Sequence, residues 1–175
     1  MIFTPTTIAG AYLIDLEPKQ DGRGSFARAF CQRELAGQGI TFNIAQCNLA
    51  HTSRAGVVRG LHYQERPAEE QKVVRCIAGA VFDALVDMRP SSATYLAVYW
   101  VRLDPVQRQS LLVPAGIAHG YQALLDHTEF LYMTDQFYAP GAEKGVRYSD
   151  PRFAIPWPLA PREVTERDQQ WPLVV

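Results

Sequence analysis

The sequence has few cysteines, and it lacks long runs of basic or apolar residues. Its three cysteines, Cys31, Cys47 and Cys76, are odd in number and widely spaced, with no CxxC pair. Neither a disulfide framework nor a zinc site is therefore predicted, and a reducing, cytoplasmic location is expected. No apolar run is long enough to span a bilayer. The first residues, with Thr4 to Thr7 among them, do not resemble a signal peptide.

The net charge of the chain is also close to zero. The 17 basic and 18 acidic residues leave a formal charge of −1, and Lys and Arg form no long cluster. This balance argues against a nucleic acid or a membrane surface as a partner, so any anionic ligand must be bound locally.

Several catalytic motifs are missing. There is no GxSxG turn for a nucleophilic serine and no glycine-rich phosphate loop. Tyr63 and Gln64 follow His62, so an HxH pair of metal ligands is missing as well. The sequence therefore predicts neither a serine hydrolase nor a metal centre.

Short segments rich in β-branched and aromatic residues, separated by turn residues, dominate what is present. They predict an all-β fold, a jelly-roll barrel or similar sandwich, in a single domain over 1–175. The last segment, 151–175, holds five prolines and is expected to wrap the domain and contribute to its site. The predicted strands include 73–77, 80–86, 95–103 and 128–138, with a short helix at 31–36 and a helical turn near Thr165.

Candidate functional residues lie on these predicted strands. His62 and Gln64 share one face of an extended strand, and Lys72 begins an apolar strand where an ammonium is costly to bury unless an anion meets it. A Pro and Gly turn precedes His119. Taken singly, a strand histidine or an edge lysine is more often structural. Arg23 lies in DGRGSF, and Tyr132 and Tyr138 are expected on the same face of one predicted strand. The combination of these residues with the histidines and the lysine favours a shared pocket.

Ordered segments over nearly the whole chain resemble the dTDP-4-dehydrorhamnose 3,5-epimerase family of deoxysugar-modifying cupins. They are DGRGSF (21–26), QCN (46–48), VVRGLHYQ (57–64), QKVVRCIAGAVFDALVDMRPSSATY (71–95), VPAGIAHGY (113–121), EFLYMTDQFYAP (129–140), EKGVRYSDP (143–151) and Arg167 with Asp168.

The resemblance implies a role for each matching residue. His62 resembles the base that removes a proton, and Asp168 the carboxylate that orients it. Tyr132 resembles the acid on the opposite face, and Lys72 the cation that stabilises an enolate. Arg59 and His119 resemble sugar-pocket residues. The nucleotide and diphosphate contacts would be Gln46, Asn48, Arg23, Tyr138, Glu143 and Arg167, with Arg23 and Phe26 reaching across from a partner subunit of a homodimer.

The activity implied is epimerisation at C3, C5 or both of a nucleotide-linked 4-keto-6-deoxyhexose, without a cofactor, in deoxysugar and cell-surface polysaccharide biosynthesis. Arg28 stands where relatives usually carry Glu, which leaves a CDP-linked sugar open beside a dTDP-linked one. A 3,4-ketoisomerase and a non-catalytic sugar-binding cupin are the remaining alternatives.

Overall fold

The computed structural model describes residues 1–174, so Val175, the last residue of the predicted domain, lies outside the described residues. Two antiparallel sheets face each other, and a two-stranded hairpin belongs to neither of them. The first sheet, in the order β1-β2-β10-β7-β12-β5, contains Ile2–Pro5 (β1), Tyr12–Asp15 (β2), Ser110–Val113 (β10), Lys72–Ala78 (β7), Thr128–Thr134 (β12) and Gln46–Thr52 (β5). The second, in the order β13-β6-β11-β8-β9, contains Glu143–Gly145 (β13), Val58–Gln64 (β6), Ile117–Ala123 (β11), Val81–Asp87 (β8) and Val98–Leu103 (β9). The hairpin pairs Lys19–Asp21 (β3) with Gly24–Phe26 (β4).

The main core lies between the two sheets. Val74, Leu111 and Phe130 of the first sheet share one buried cluster with Leu85 and Tyr121 of the second. This arrangement of two packed antiparallel sheets is the predicted jelly-roll sandwich.

Each sheet also has a covered outer face. The helix Gln32–Gly37 (α1) and the segment after it place Leu35 and Phe42 over Val73 and Leu112 of the first sheet. Phe153 and Ile155 of the C-terminal segment cover Phe82, Ala84 and Ala118 of the second. All seven residues of β8 are consequently buried, because both faces of this strand are packed.

The predicted strands at 73–77 and 80–86 correspond to β7 and β8, joined by a turn at Gly79 (φ 74°). Two other predicted strands were too long. The strand predicted over 95–103 begins at Val98. The segment before it forms turns, in which Leu96 takes a positive φ of 64° and donates its N–H to the Asp87 carbonyl.

The strand predicted over 128–138 ends at Thr134, whose hydroxyl donates to the carbonyl of Gln136. Tyr138 therefore does not share a strand with Tyr132. The prediction that the two tyrosines lie on one face of a common strand was wrong.

Helical predictions agree with the structure within a residue or two. The predicted helix at 31–36 is α1, and the turn near Thr165 is the short helix Glu166–Gln170 (α2). Thr165 caps α2, since its hydroxyl accepts the N–H of Asp168.

Candidate active site

A cavity of about 650 Å³ opens between the two sheets. Strands β5, β7 and β12 line it from one sheet and β6, β11 and β13 from the other, while α2 closes one side. Most of the residues predicted for the site lie in its wall: His62, Lys72, Tyr132, Asp168, Gln46, Asn48, Arg59, His119, Tyr138, Glu143 and Arg167.

A bulge in β6 brings Arg59 and His62 to the same cavity. Three residues apart, they would point to opposite faces of a regular strand. Tyr121 pairs with Arg59 and His119 with His62, so β6 takes three steps against two on β11. Gly60 permits this, because its φ is 116° and a Cβ there would lie 2.5 Å from Gly120 Cα.

His62 is fixed by a buried carboxylate from α2. Its Nε2 lies 2.5 Å from Asp168 Oδ1, and the Gly60 N–H donates to Asp168 Oδ2 at 3.4 Å. Burial alone would raise the Asp168 pKa, but the hydrogen bonds from His62, Gly60 and Thr165 hold that pKa below its ordinary value. Asp168 is therefore an anion that can orient the ring and stabilise it when it is protonated.

The other ring nitrogen of His62, Nδ1, lies 3.5 Å from Glu143 Oε1. Because Nε2 is engaged by Asp168, Nδ1 is the nitrogen that can take a proton. Glu143 is also paired with Arg167 and accepts the Tyr138 hydroxyl at 3.3 Å. Glu143 and Arg167 thus form an ionic edge beside the histidine.

Tyr132 and Lys72 face His62 from the opposite sheet. Burial raises the Tyr132 pKa, and the negative charge of Glu70 raises it further, with Arg59 acting in the opposite direction. The phenol therefore keeps its proton as a potential acid. Lys72 Nζ lies 3.1 Å from Glu70 Oε1, and both side chains are largely buried.

His119 has a buried partner that sequence reasoning missed. Its Nε2 lies 3.0 Å from Asp83 Oδ2, and Asp83 is fully buried. Burial raises the Asp83 pKa, opposed by His119. The available signal was an aspartate in the otherwise apolar segment VFDALV.

Other neighbours were also missed. Trp171 packs edge-on against His62 with ring centroids 6.2 Å apart. The Arg167 guanidinium carbon lies over the indole ring of Trp171, 5.5 Å from its centroid. Gln64 was predicted to share a strand face with His62, but no role was predicted for it. It is buried and bonds to the chain at Ala68, Phe137 and Ala139. No local sequence pattern indicates such contacts.

Arg23 and Phe26 do not line this cavity. They lie on the β3–β4 hairpin, where Arg23 pairs with Asp21 and Phe26 is 73% exposed. Arg28 also lies outside the cavity wall and pairs with Glu34 at 3.1 Å.

Within residues 1–174, no group of three or more His, Cys, Asp or Glu side chains is arranged to hold a metal ion. Over the same residues, no helix has the length and apolar character needed to cross a membrane.

The family model for dTDP-4-dehydrorhamnose 3,5-epimerase matches residues 5–175. The chain belongs to the dTDP-4-dehydrorhamnose 3,5-epimerase family. It is 41% identical over 170 residues to the dTDP-4-dehydrorhamnose 3,5-epimerase of Streptomyces griseus, covering 96% of this chain and 84% of that one. It is 38% identical to the dTDP-4-dehydrorhamnose 3-epimerase of Streptomyces niveus, covering 97% and 82%.

Among solved structures, the dTDP-4-dehydrorhamnose 3,5-epimerase of Bacillus anthracis, with TDP and PPi bound, superposes with a TM-score of 0.94 at 32% identity. The match covers 99% of both chains. The predicted family and cupin-type jelly-roll fold are thereby confirmed, and the protein is an isomerase of the carbohydrate epimerase class.

Proposed function

We propose that this epimerase inverts C3 and C5 of dTDP-4-keto-6-deoxyglucose through enolate intermediates, using His62, Asp168, Lys72 and Tyr132. The observation that carries the proposal is the carboxylate-bound His62 on one sheet facing Tyr132 and Lys72 on the other. Inversion at carbon requires a base and an acid on opposite faces of the sugar, and His62 and Tyr132 on the two facing sheets would fill these roles.

The 4-keto group acidifies the hydrogens on C3 and C5. His62 Nδ1 takes one of these protons, and the electron pair of the C–H bond moves to form the enolate with charge on the C4 oxygen. Asp168 stabilises the imidazolium that results. The largely buried Lys72 ammonium stabilises the oxyanion.

The Tyr132 hydroxyl then donates its proton to the opposite face of the carbon, and the carbonyl reforms. His62 returns its proton to solvent and the Tyr132 phenolate takes one, so the enzyme is restored with no net change in protons. None of these steps requires a redox cofactor.

Binding of the nucleotide sugar is assigned to the remaining wall residues. Arg59 and His119 would contact the sugar. The nucleotide and diphosphate would be contacted by Gln46, Asn48, Tyr138, Glu143 and Arg167. The TDP in the Bacillus anthracis structure supports a dTDP carrier. We further propose a homodimer, in which the exposed Arg23 and Phe26 of one subunit reach the partner's cavity, and a cytoplasmic location, which the three free cysteines support.

The test is to incubate the protein with dTDP-4-keto-6-deoxyglucose in deuterated water and follow the sugar by NMR. Deuterium at C3 and C5 with inversion at both carbons is expected, with a slower reaction on the CDP-linked sugar. Tyr132→Phe should still exchange deuterium but lose inversion. His62 can remove a proton and return a deuteron on the same face of the sugar, but no acid remains on the opposite face. Absence of exchange with either nucleotide would refute the proposal, and transfer of the carbonyl to C3 would identify a ketoisomerase.

Inversion at C3 alone is the second candidate. It is favoured by the similarity to the Streptomyces niveus 3-epimerase. In the same experiment it predicts deuterium at C3 with C5 unlabelled and uninverted.

A further inference from the structure

Glu70 is a carboxylate inside the cavity for which the proposed reaction has no use. It lies in the loop between β6 and β7, next to Glu69, in the segment EEQK. The two glutamates differ in their surroundings. Glu69 pairs with the exposed Arg66 at 2.9 Å, whereas the Glu70 side chain is only 11% exposed and lines the cavity.

Both Glu70 oxygens are engaged by cavity residues. Oε1 lies 3.1 Å from Lys72 Nζ, and Oε2 accepts a hydrogen bond from Gln64 Nε2 at 3.2 Å. Gln64 is itself fixed, since its Oε1 accepts the Ala139 N–H at 2.7 Å. Gln64 therefore fixes the Glu70 carboxylate through Oε2, and the carboxylate fixes the Lys72 ammonium through Oε1.

We propose that Glu70 is a positioning residue for the epimerase, whose carboxylate holds the Lys72 ammonium at the enolate oxygen and places a negative charge near the Tyr132 hydroxyl. This inference rests on the proposed function. Among the described residues, Glu70 is the one carboxylate within ion-pair distance of Lys72. A lysine has a flexible stem, so a fixed partner restricts its ammonium to one position before the substrate arrives.

The charge of Glu70 also acts on the acid of the reaction. The Tyr132 pKa is raised by burial and by Glu70, while Arg59 lowers it. The other charged and titratable groups that line the cavity with Tyr132 and Lys72 are Arg59, His62, Tyr63, Glu70, His119, Tyr121, Tyr138, Glu143, Arg167 and Asp168, with Asp83 behind His119. Loss of the Glu70 charge should lower the pKa of Tyr132, because that charge is one of the causes that raise it.

The experiment compares Glu70→Gln with Glu69→Gln, which removes one charge a residue away without touching the cavity. Glu70→Gln keeps an oxygen that can accept from Gln64. It should lower kcat by about 10- to 100-fold, with a smaller change in KM, because the ammonium loses its position. The alkaline limb of the pH profile should also move down by about one pH unit, since the Tyr132 acid loses its proton more easily without the Glu70 charge. Glu69→Gln should match the wild type in both.

Glu70→Asp separates position from charge. It should lower kcat, because a shorter carboxylate misplaces Lys72, but it should keep the alkaline limb within a few tenths of a pH unit of the wild type. The proposal is overturned if Glu70→Gln retains wild-type kcat and pH profile, or if Glu70→Asp shifts the alkaline limb as far as Glu70→Gln does. Wild-type enzyme without deuterium exchange would instead refute the proposed function, so the two failures are distinguishable.

Discussion

At the scale of single residues, the site depends on which nitrogen of His62 is free. Asp168 binds Nε2 at 2.5 Å, which leaves Nδ1 as the nitrogen that would accept a proton from the sugar in the proposed reaction. A buried anion in this position both selects the tautomer and stabilises the imidazolium. His62 alone would be an ordinary strand histidine, and the contact with Asp168 is what supports its proposed role as a base.

Asp168→Asn should therefore leave the fold intact and lower kcat by about 10³-fold or more, because the amide supports the wrong tautomer and no longer stabilises the cation. Glu166→Gln, on the exposed side of the same helix, is the matched control and should retain wild-type activity. Steady-state epimerisation assays and circular dichroism spectra measure the two quantities. Equal activity of the two variants would remove Asp168 from the mechanism.

At the scale of elements, α2 is too short to be stable alone. Its position depends on the Thr165 cap and on Trp171, which packs against Gly145 at the end of β13 and against His62. Any side chain at Gly145 would collide with the indole ring. The tryptophan thus acts as the anchor that holds Asp168 at His62.

Trp171→Ala should lower kcat by about tenfold or more, because α2 detaches part of the time and Asp168 leaves the histidine. The urea midpoint should change less, since the main core lies between the sheets. Leu173→Ala, at a half-exposed position in the same segment, is the control. The rate of proteolysis after Arg167 measures how often α2 detaches. If Trp171→Ala keeps wild-type kcat and a wild-type rate of proteolysis, the ring does not anchor α2.

The turn after β8 depends on Asp87, which is fully buried and accepts hydrogen bonds from Arg89, Ser92 and Thr94. Burial opposes ionisation, but these donors hold the pKa of Asp87 well below its usual range. The folded state therefore binds fewer protons here than the unfolded chain. The resulting stabilisation is complete above the unfolded pKa, near 4, and is lost as the pH falls toward the folded pKa.

Asp87→Asn should accordingly reduce the free energy of unfolding by about 1–3 kcal/mol at pH 7. The difference from the wild type should narrow as the pH falls from 5 to 3. Urea unfolding over that range measures it. Glu65→Gln, which removes an exposed surface pair with Lys144, should change stability by less than about 0.5 kcal/mol at any of these pH values. A difference for Asp87→Asn that does not depend on pH would contradict the assignment.

The elements also show what sequence reasoning could predict. Strands β7 and β8 were predicted within a residue or two, because their apolar runs are continuous and a glycine separates them. The end of β12 was missed because Phe137 and Tyr138 suit a strand, although Thr134 redirects the chain at Gln136. The contact between Asp83 and His119 was missed because register across β8 and β11 is not visible in either strand alone.

At the scale of the whole molecule, the cavity is assembled from parts distant in sequence: β6 with α2, and both sheets with each other. The β3–β4 hairpin takes no part in the cavity of its own chain, yet it carries the exposed Phe26 and Arg23. An exposed aromatic on the same hairpin as an exposed arginine suits a contact with another subunit, where Phe26 would be buried. Under the proposed dimer, each active site would combine His62 of one chain with Arg23 of the other.

Subunit complementation tests this arrangement. Arg23→Ala and His62→Ala should each be nearly inactive as pure dimers, because each lacks one part of every site. If Arg23 serves the partner's site, dimers mixed by unfolding and refolding together contain one complete site in every heterodimer, and about one quarter of wild-type activity should return. Light scattering verifies the dimer before the assay. If Arg23 served its own chain's site, no heterodimer would contain a complete site, and mixing would restore nothing.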